Sequence, residues 1–139
     1  MAWTPFGPGT VSLTVGGGTA ANFEQEVKGG GVEHEYEDIG DKTTYLDSSV
    51  SPAGKARTDT VTLDCDFDLG STGFYQFLFT NDLAEAEISF VPNTAATAEW
   101  SGTVLLTLPD GATADEYGAK MSGTVELVFV GPCTFTAGA

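Results

Sequence analysis

Residues 58–69, TDTVTLDCDFDL, alternate with period two along their whole length, and this segment limits the fold more than any other. Val61, Leu63, Cys65, Phe67 and Leu69 fall on one side, and Thr60, Thr62, Asp64, Asp66 and Asp68 on the other. That is a half-buried β-strand whose wet side is acidic. The pattern recurs. In 22–27, Phe23, Gln25 and Val27 oppose Glu24 and Glu26; in 32–37, Val32, His34 and Tyr36 oppose Glu33, Glu35 and Glu37. Segments 10–15 and 87–91 read as further strands, the first ending at Gly16-Gly17-Gly18. Two longer ones, 99–108 and 120–130, place Trp100, Val104, Leu106, Leu108 and Met121, Val125, Leu127, Phe129 on one face. Their second faces mix Thr, Ser and Glu126 with Leu105, Val128 and Val130, so something else covers them. The Gly29-Gly30-Gly31 run lies between two strand patterns and reads as a hairpin turn.

Two segments break the rule. In 71–82, STGFYQFLFTND, Phe74, Phe77 and Leu78 stand at i, i+3 and i+4, which predicts one short helix with Ser71 or Thr72 as N-cap and Asn81 at its end, although the aromatics also suit a strand. Segment 38–57 has little periodicity and turns at Ser48-Ser49 and Ser51-Pro52. A loop that long is either a floppy surface loop or one that orders against another subunit, with Tyr45, Leu46 and Val50 as apolar anchors.

The chain has 139 residues, which predicts a single domain over 1–139. Twenty Asp and Glu against five Lys and Arg give a formal charge of −15, which excludes a grip on nucleic-acid phosphates or an anionic membrane surface. No apolar run is long enough for a membrane helix, and the first residues do not read as a secretory signal. Two separated cysteines, Cys65 and Cys133, fit a reducing compartment. With His34 as the single histidine, neither a zinc site nor a Cys–His nucleophile is expected, so the metal and cofactor expectation is none. His34 reads as a structural, hydrogen-bonded histidine. No GxSxG, GK[ST] phosphate loop or HExxH occurs. Asp64, Asp66 and Asp68 stand in a row, successive ones about 6–7 Å apart on an extended strand, and cannot chelate one calcium ion without a partner loop. A carboxylate-pair hydrolase has no specific support among so many acids, so no enzyme is expected.

Rows of like charge weaken a sheet by self-repulsion. They are either a solubilising face or a surface that a polyanion slides past without sticking. The order of features then resembles a family: acidic early strands, a long loop, TDTVTLDCDFDL, the aromatic helix in GFYQFLFTNDLAEAEISFVP, WSGTVLLTLP and AKMSGTVELVFVG. It is similar to the major tail tube proteins of long, non-contractile (siphovirus-type) phage tails, over about residues 10–135. Two GTV strand openings, at Gly102-Thr103-Val104 and Gly123-Thr124-Val125, are part of the likeness.

The resemblance implies a mainly β fold, a two-sheet β-sandwich or half-barrel with one short α-helix and a long loop. It also implies a virion structural protein, assembled in the host cytoplasm, whose six copies form rings that stack into a hollow tail tube. Genomic DNA passes through the electronegative lumen without specific binding; six copies at −15 give about −90 per ring. Glu24, Glu26, Glu33, Glu35, Asp64, Asp66 and Asp68 are the lumen-facing candidates. Asp38, Ile39, Lys42, Tyr45, Leu46, Val50, Lys55 and Arg57 are the candidates for contact with the next ring. A tape-measure protein and tail initiator and terminator proteins are the further partners. Relatives with an appended immunoglobulin-like domain differ, because the last strand pattern lies close to Ala139, which implies an undecorated tube. A single-ring terminator and a monomeric immunoglobulin-like binding module are the competing readings.

Overall fold

The computed structural model describes residues 3–52 and 54–138. Ten strands and one helix occur among them. The strands are β1 (Thr10–Val15), β2 (Ala21–Asn22), β3 (Val27–Ile39), β4 (Thr43–Thr44), β5 (Val50–Ser51), β6 (Gly54–Asp66), β7 (Glu85–Val91), β8 (Glu99–Leu105), β9 (Ser122–Phe129) and β10 (Thr134–Thr136). The helix, α1 (Phe74–Thr80), lies between β6 and β7.

Hydrogen bonding runs β2-β1-β7-β8-β9-β6-β3, with β10 added to β8 and β4–β5 forming a separate small ladder. All the pairings are antiparallel. The period-two pattern explains the core, because the registers align the apolar rows. Leu63 faces Val125 and Val61 faces Leu127; Leu13 faces Ile88 and Val11 faces Phe90; Val104 faces both Ala86 and Phe129. Every one of these side chains is buried. The two leaves of the sandwich meet where β8 pairs with β9 through only Val104↔Phe129 and Leu105↔Val128. Gly102 marks the changeover: residues before it pair with β10 and those after it with β9. Its φ of +155° and the Phe129 ring 3.0 Å from where a Cβ would sit explain why this position is glycine. The first GTV motif therefore lies within a strand rather than opening one, whereas Gly123 sits near the start of β9.

Helix α1 closes the open side of the core. Phe74 and Leu78 are fully buried, each contributing about 1.5–3 kcal/mol of burial. Phe23 stacks on Phe74 with ring centroids 4.4 Å apart, and Phe67 meets Tyr75 edge-on at 5.7 Å.

Several expectations need correction. Segment 22–27 is not one strand: Asn22 ends β2, Val27 opens β3, and 23–26 between them turn, closed by the Glu26 N–H donating to the Phe23 carbonyl at 3.0 Å, because Phe23 drops into the core beneath α1. The helix N-cap is Gly73, not Ser71 or Thr72; a Cβ there would strike the Asp68 carbonyl. Capping comes instead from Glu26, whose carboxylate accepts from the Phe74 N–H at 3.0 Å and the Asp68 N–H at 2.8 Å. Asn81 ends the helix as expected, its N–H and Nδ2 both donating to the Phe77 carbonyl. Gly29-Gly30-Gly31 is not a turn: it lies inside β3 at a bulge, with Gly30 pressed against the Thr62 carbonyl. Segment 38–57 is the end of a long hairpin, since β3 and β6 remain in register out to Ile39↔Gly54 and β4–β5 continue it.

Glu26→Ala leaves the helix start and the Asp68 N–H without this acceptor, and lowers stability by about 1–2 kcal/mol. Urea unfolding should show a lower midpoint with an unchanged slope.

Candidate assembly surfaces

The outward rows of β3, β6 and β9 form one acidic face. Register brings Glu33 beside Thr60, Glu35 beside Thr58 and Thr62 beside Glu126, so Glu33, Glu35, Glu37, Asp64, Asp66 and Glu126 share it. Glu33, Glu35, Glu37, Asp64 and Glu126 are exposed; Asp64 accepts from the Thr124 hydroxyl at 3.0 Å. Asp66 differs, because Lys28 Nζ is 2.9 Å and Lys120 Nζ 3.8 Å from its carboxylate. The hydrogen bond and charge of Asp66 raise the Lys28 pKa. On the other leaf the outward side is a polar trough of about 390 Å³ containing Ser12, Thr14, Glu87, Ser89, Ser101 and Thr103.

The other three acidic candidates lie elsewhere. Glu26 caps α1, and Asp68 accepts from the Gly70 N–H at 3.0 Å in a local turn. Glu24 stands on the 23–26 turn with a buried Oε2 that has no hydrogen-bond partner. The seven carboxylates expected to act together thus divide into a face (Glu33, Glu35, Asp64, Asp66) and three separate local roles. Within the face's leaf, Val128 and Val130 are exposed, and Val128 sits opposite Leu105. This is the half-apolar second face read from the sequence.

The hairpin forms a projecting arm. Tyr36, Ile39, Tyr45, Leu46 and Val50 are exposed on it, Leu46 completely. Its tip is organised by Asp47, which accepts from the Ser49 N–H at 2.9 Å and the Ser49 hydroxyl at 2.6 Å. Those bonds lower the Asp47 pKa. Asp38 and Lys55 form an ion pair across the ladder, and Lys42 lies exposed beyond the end of β3. Arg57 is not at the tip, since it turns back onto the buried Asp59 in a polar cluster at the arm's base.

That cluster centres on Asp59, which is completely buried. Its Oδ1 lies 2.6 Å from His34 Nδ1 and 3.0 Å from Arg57 Nε, and its Oδ2 accepts from the Cys133 N–H at 2.9 Å. Burial alone would raise its pKa. The Cys133 N–H, His34, the Cys133 thiol and the Arg57 charge outweigh burial and hold the carboxyl at about 2. Burial, reinforced by Asp59, pushes the Cys133 thiol up, and burial followed by nearby acids takes Cys65 to about 12. Neither thiol is activated as a nucleophile. His34, Asp59 and Cys133 could each offer a donor atom, all within 4.8 Å of one another, and no other such group of His, Cys, Asp or Glu occurs among the described residues. Arg57 Nε lies 3.0 Å from the same Asp59 oxygen that faces His34, so the arrangement fits a polar strut between β3, β6 and the chain after β9. The sequence reading missed Asp59. Its parity was the available signal, since it falls on the same side as Val61 and Leu63.

A curved sandwich closed by one helix, with a long projecting hairpin and an acidic outer leaf, defines a class of fold. The same fold occurs in a chain of the tail of an empty gene transfer agent (GTA) particle, helically refined with C6 symmetry: TM-score 0.62, 17% identity, covering 92% of this chain and 95% of that one. A chain of the virion of a native GTA particle matches at TM-score 0.54 and 15% identity, over 81% and 85% of the two chains. No protein-family model matches the chain, and no curated protein sequence does. No helix among the described residues is long and apolar enough to cross a membrane.

The Asp59 carboxyl sits below its ordinary 3.8, so its contribution is present above that pH and disappears as the pH falls towards 2, an effect on the order of 2 kcal/mol. Acid titration of unfolding midpoints should show this loss between pH 4 and 2. Asp59→Asn should flatten that part of the profile and lower stability at neutral pH, because Arg57 loses its counter-charge.

Proposed function

We propose that this chain is a structural subunit of a phage-like tail, six copies of which form a ring and whose rings stack into a hollow tube for DNA. The observation that carries the reading is the fold shared across nearly the whole length of both chains with a component of a C6-symmetric tail. Two features of this chain support it. Among the described residues, β3 is a 13-residue strand paired on one side only, and the outer leaf has uncovered apolar residues at Val128 and Val130. Edges and patches of that kind are satisfied by neighbouring copies.

The electronegative lining belongs to the β3–β6–β9 face, with Glu33, Glu35 and Asp64 as its exposed charges. Like charge along the bore keeps phosphates from adhering while DNA moves. Asp66 is a weaker contributor because Lys28 offsets it, and Glu24, Glu26 and Asp68 are not part of the lining. A tape-measure protein and initiator and terminator proteins complete the tail, and the assembled site is a virion tail built in the host cytoplasm. The chain works as a scaffold and not as an enzyme.

Negative-stain electron microscopy of the concentrated protein, with a parallel mass measurement in solution, tests this. Stacked rings or hollow filaments with six-fold end views are expected. Rings that never stack would point to a terminator, and a monomer at every concentration to a binding module using the arm. In particles, Glu33→Lys with Asp64→Lys should leave tubes intact and slow genome ejection; unchanged ejection would remove this face from the bore.

A further inference from the structure

Two unmatched groups on this chain are chemically complementary. The first is Glu24. Its buried, unpartnered Oε2 belongs to a side chain lining a cleft of about 280 Å³, otherwise largely apolar, built by Phe6, Pro8, Val27, Phe90 and Pro92. A carboxylate oxygen out of water with no donor costs free energy until a cation or N–H reaches it. The second is Lys42. Lys28 and Lys120 lie against Asp66, Lys55 against Asp38 and Arg57 against Asp59, which leaves Lys42 as the basic side chain without a carboxylate partner among the described residues. In a chain of net charge −15, a free cation just before β4, close in sequence to the exposed Tyr45 and Leu46, makes the outer part of the arm distinctive.

The two groups cannot meet within one molecule. Val27, at the cleft, opens β3, and Lys42 lies beyond Ile39 at its other end. Thirteen extended residues separate the two sites by about 40 Å, far beyond a lysine's reach. The cleft and the tip therefore sit at opposite ends of the same long strand. Contact between them has to be made by two copies, head to tail, and such a contact repeats without closing, as a stack requires.

We propose that the Lys42 ammonium of one copy docks on Glu24 in the cleft of the next, with its alkyl stem against Pro8 and Phe90 and with Tyr45 or Leu46 covering the rim. The occupant is a second copy of this chain. The inference rests on the tube reading and adds the specific contact that holds one ring to the next. The lysine stem suits the apolar walls, and the half-buried Glu24 carboxylate, with its Oε2 out of water, gives the charged end its counter-ion.

Carbodiimide coupling joins a carboxylate to an amine only when the two touch. On assembled wild-type full-length protein it should give a Glu24–Lys42 crosslinked peptide by mass spectrometry, absent from dilute unassembled protein. Lys42→Glu and Glu24→Lys should each reduce the pelleted, stacked fraction at least tenfold, and the double charge swap should restore it. Far-ultraviolet circular dichroism identifies any variant that has simply unfolded. Assembled wild-type protein lacking the crosslink overturns the inference, whatever the variants do, and leaves the tube reading standing. So do filaments unaffected by Lys42→Glu. Wild-type protein that never assembles overturns the tube reading, and this contact with it.

Discussion

Strand β6 is the element on which the rest depends. It is paired along both sides, to β3 and to β9, and every second residue from Asp59 to Cys65 is completely buried. That burial fixes register, because a slip of one residue would bring Asp64 inside and turn Leu63 to water. Once β6 is fixed, Val125 and Leu127 of β9 have one place to go. The short β8–β9 ladder then carries the second leaf over the same core. Phe23 and α1 close what remains.

Charge is managed by placement more than by pairing. With so few cations, most carboxylates have no ion-pair partner among the described residues, and Glu33, Glu35, Glu37, Asp64, Asp66 and Glu126 gather on one outward face of the sheet where water screens them. The exception is Asp59, which is buried and supplied with Arg57, His34 and a backbone N–H. The cost of burying that carboxylate is offset by three convergent donors, and in return the arm is anchored to the chain beyond β9. Lys28 and Lys120 around Asp66 are solvent-facing and contribute little.

The arm, the unpaired side of β3 and the exposed Val128 and Val130 are features a solitary chain would be expected to blunt or bury. The proposed ring and stack would cover all of them together, and the fold is shared with a chain of a C6-symmetric tail. The arm and the Glu24 cleft lie at opposite ends of β3, so in the proposed stack one strand would set both polarity and spacing.

The sequence by itself determined the strands and their faces. Alternation is a local property, and it placed β1, β6, β7 and β9 and the buried rows within them; the i, i+3, i+4 aromatics placed α1. It was misleading wherever a distant residue set the outcome. Glu24 and Glu26 alternate like strand residues, but Phe23 is drawn under a helix fifty residues on, which bends them into a turn. Gly29-Gly30-Gly31 resembles a turn until β6 is seen to press against it. Segment 38–57 lacks periodicity because, with both faces exposed, no core imposes one; pairing across the hairpin makes it β-structure all the same. The same reason separates the carboxylates. Composition set how many there are, while the fold alone decided which cap a helix, which is buried with an arginine, and which stand together on the acidic face.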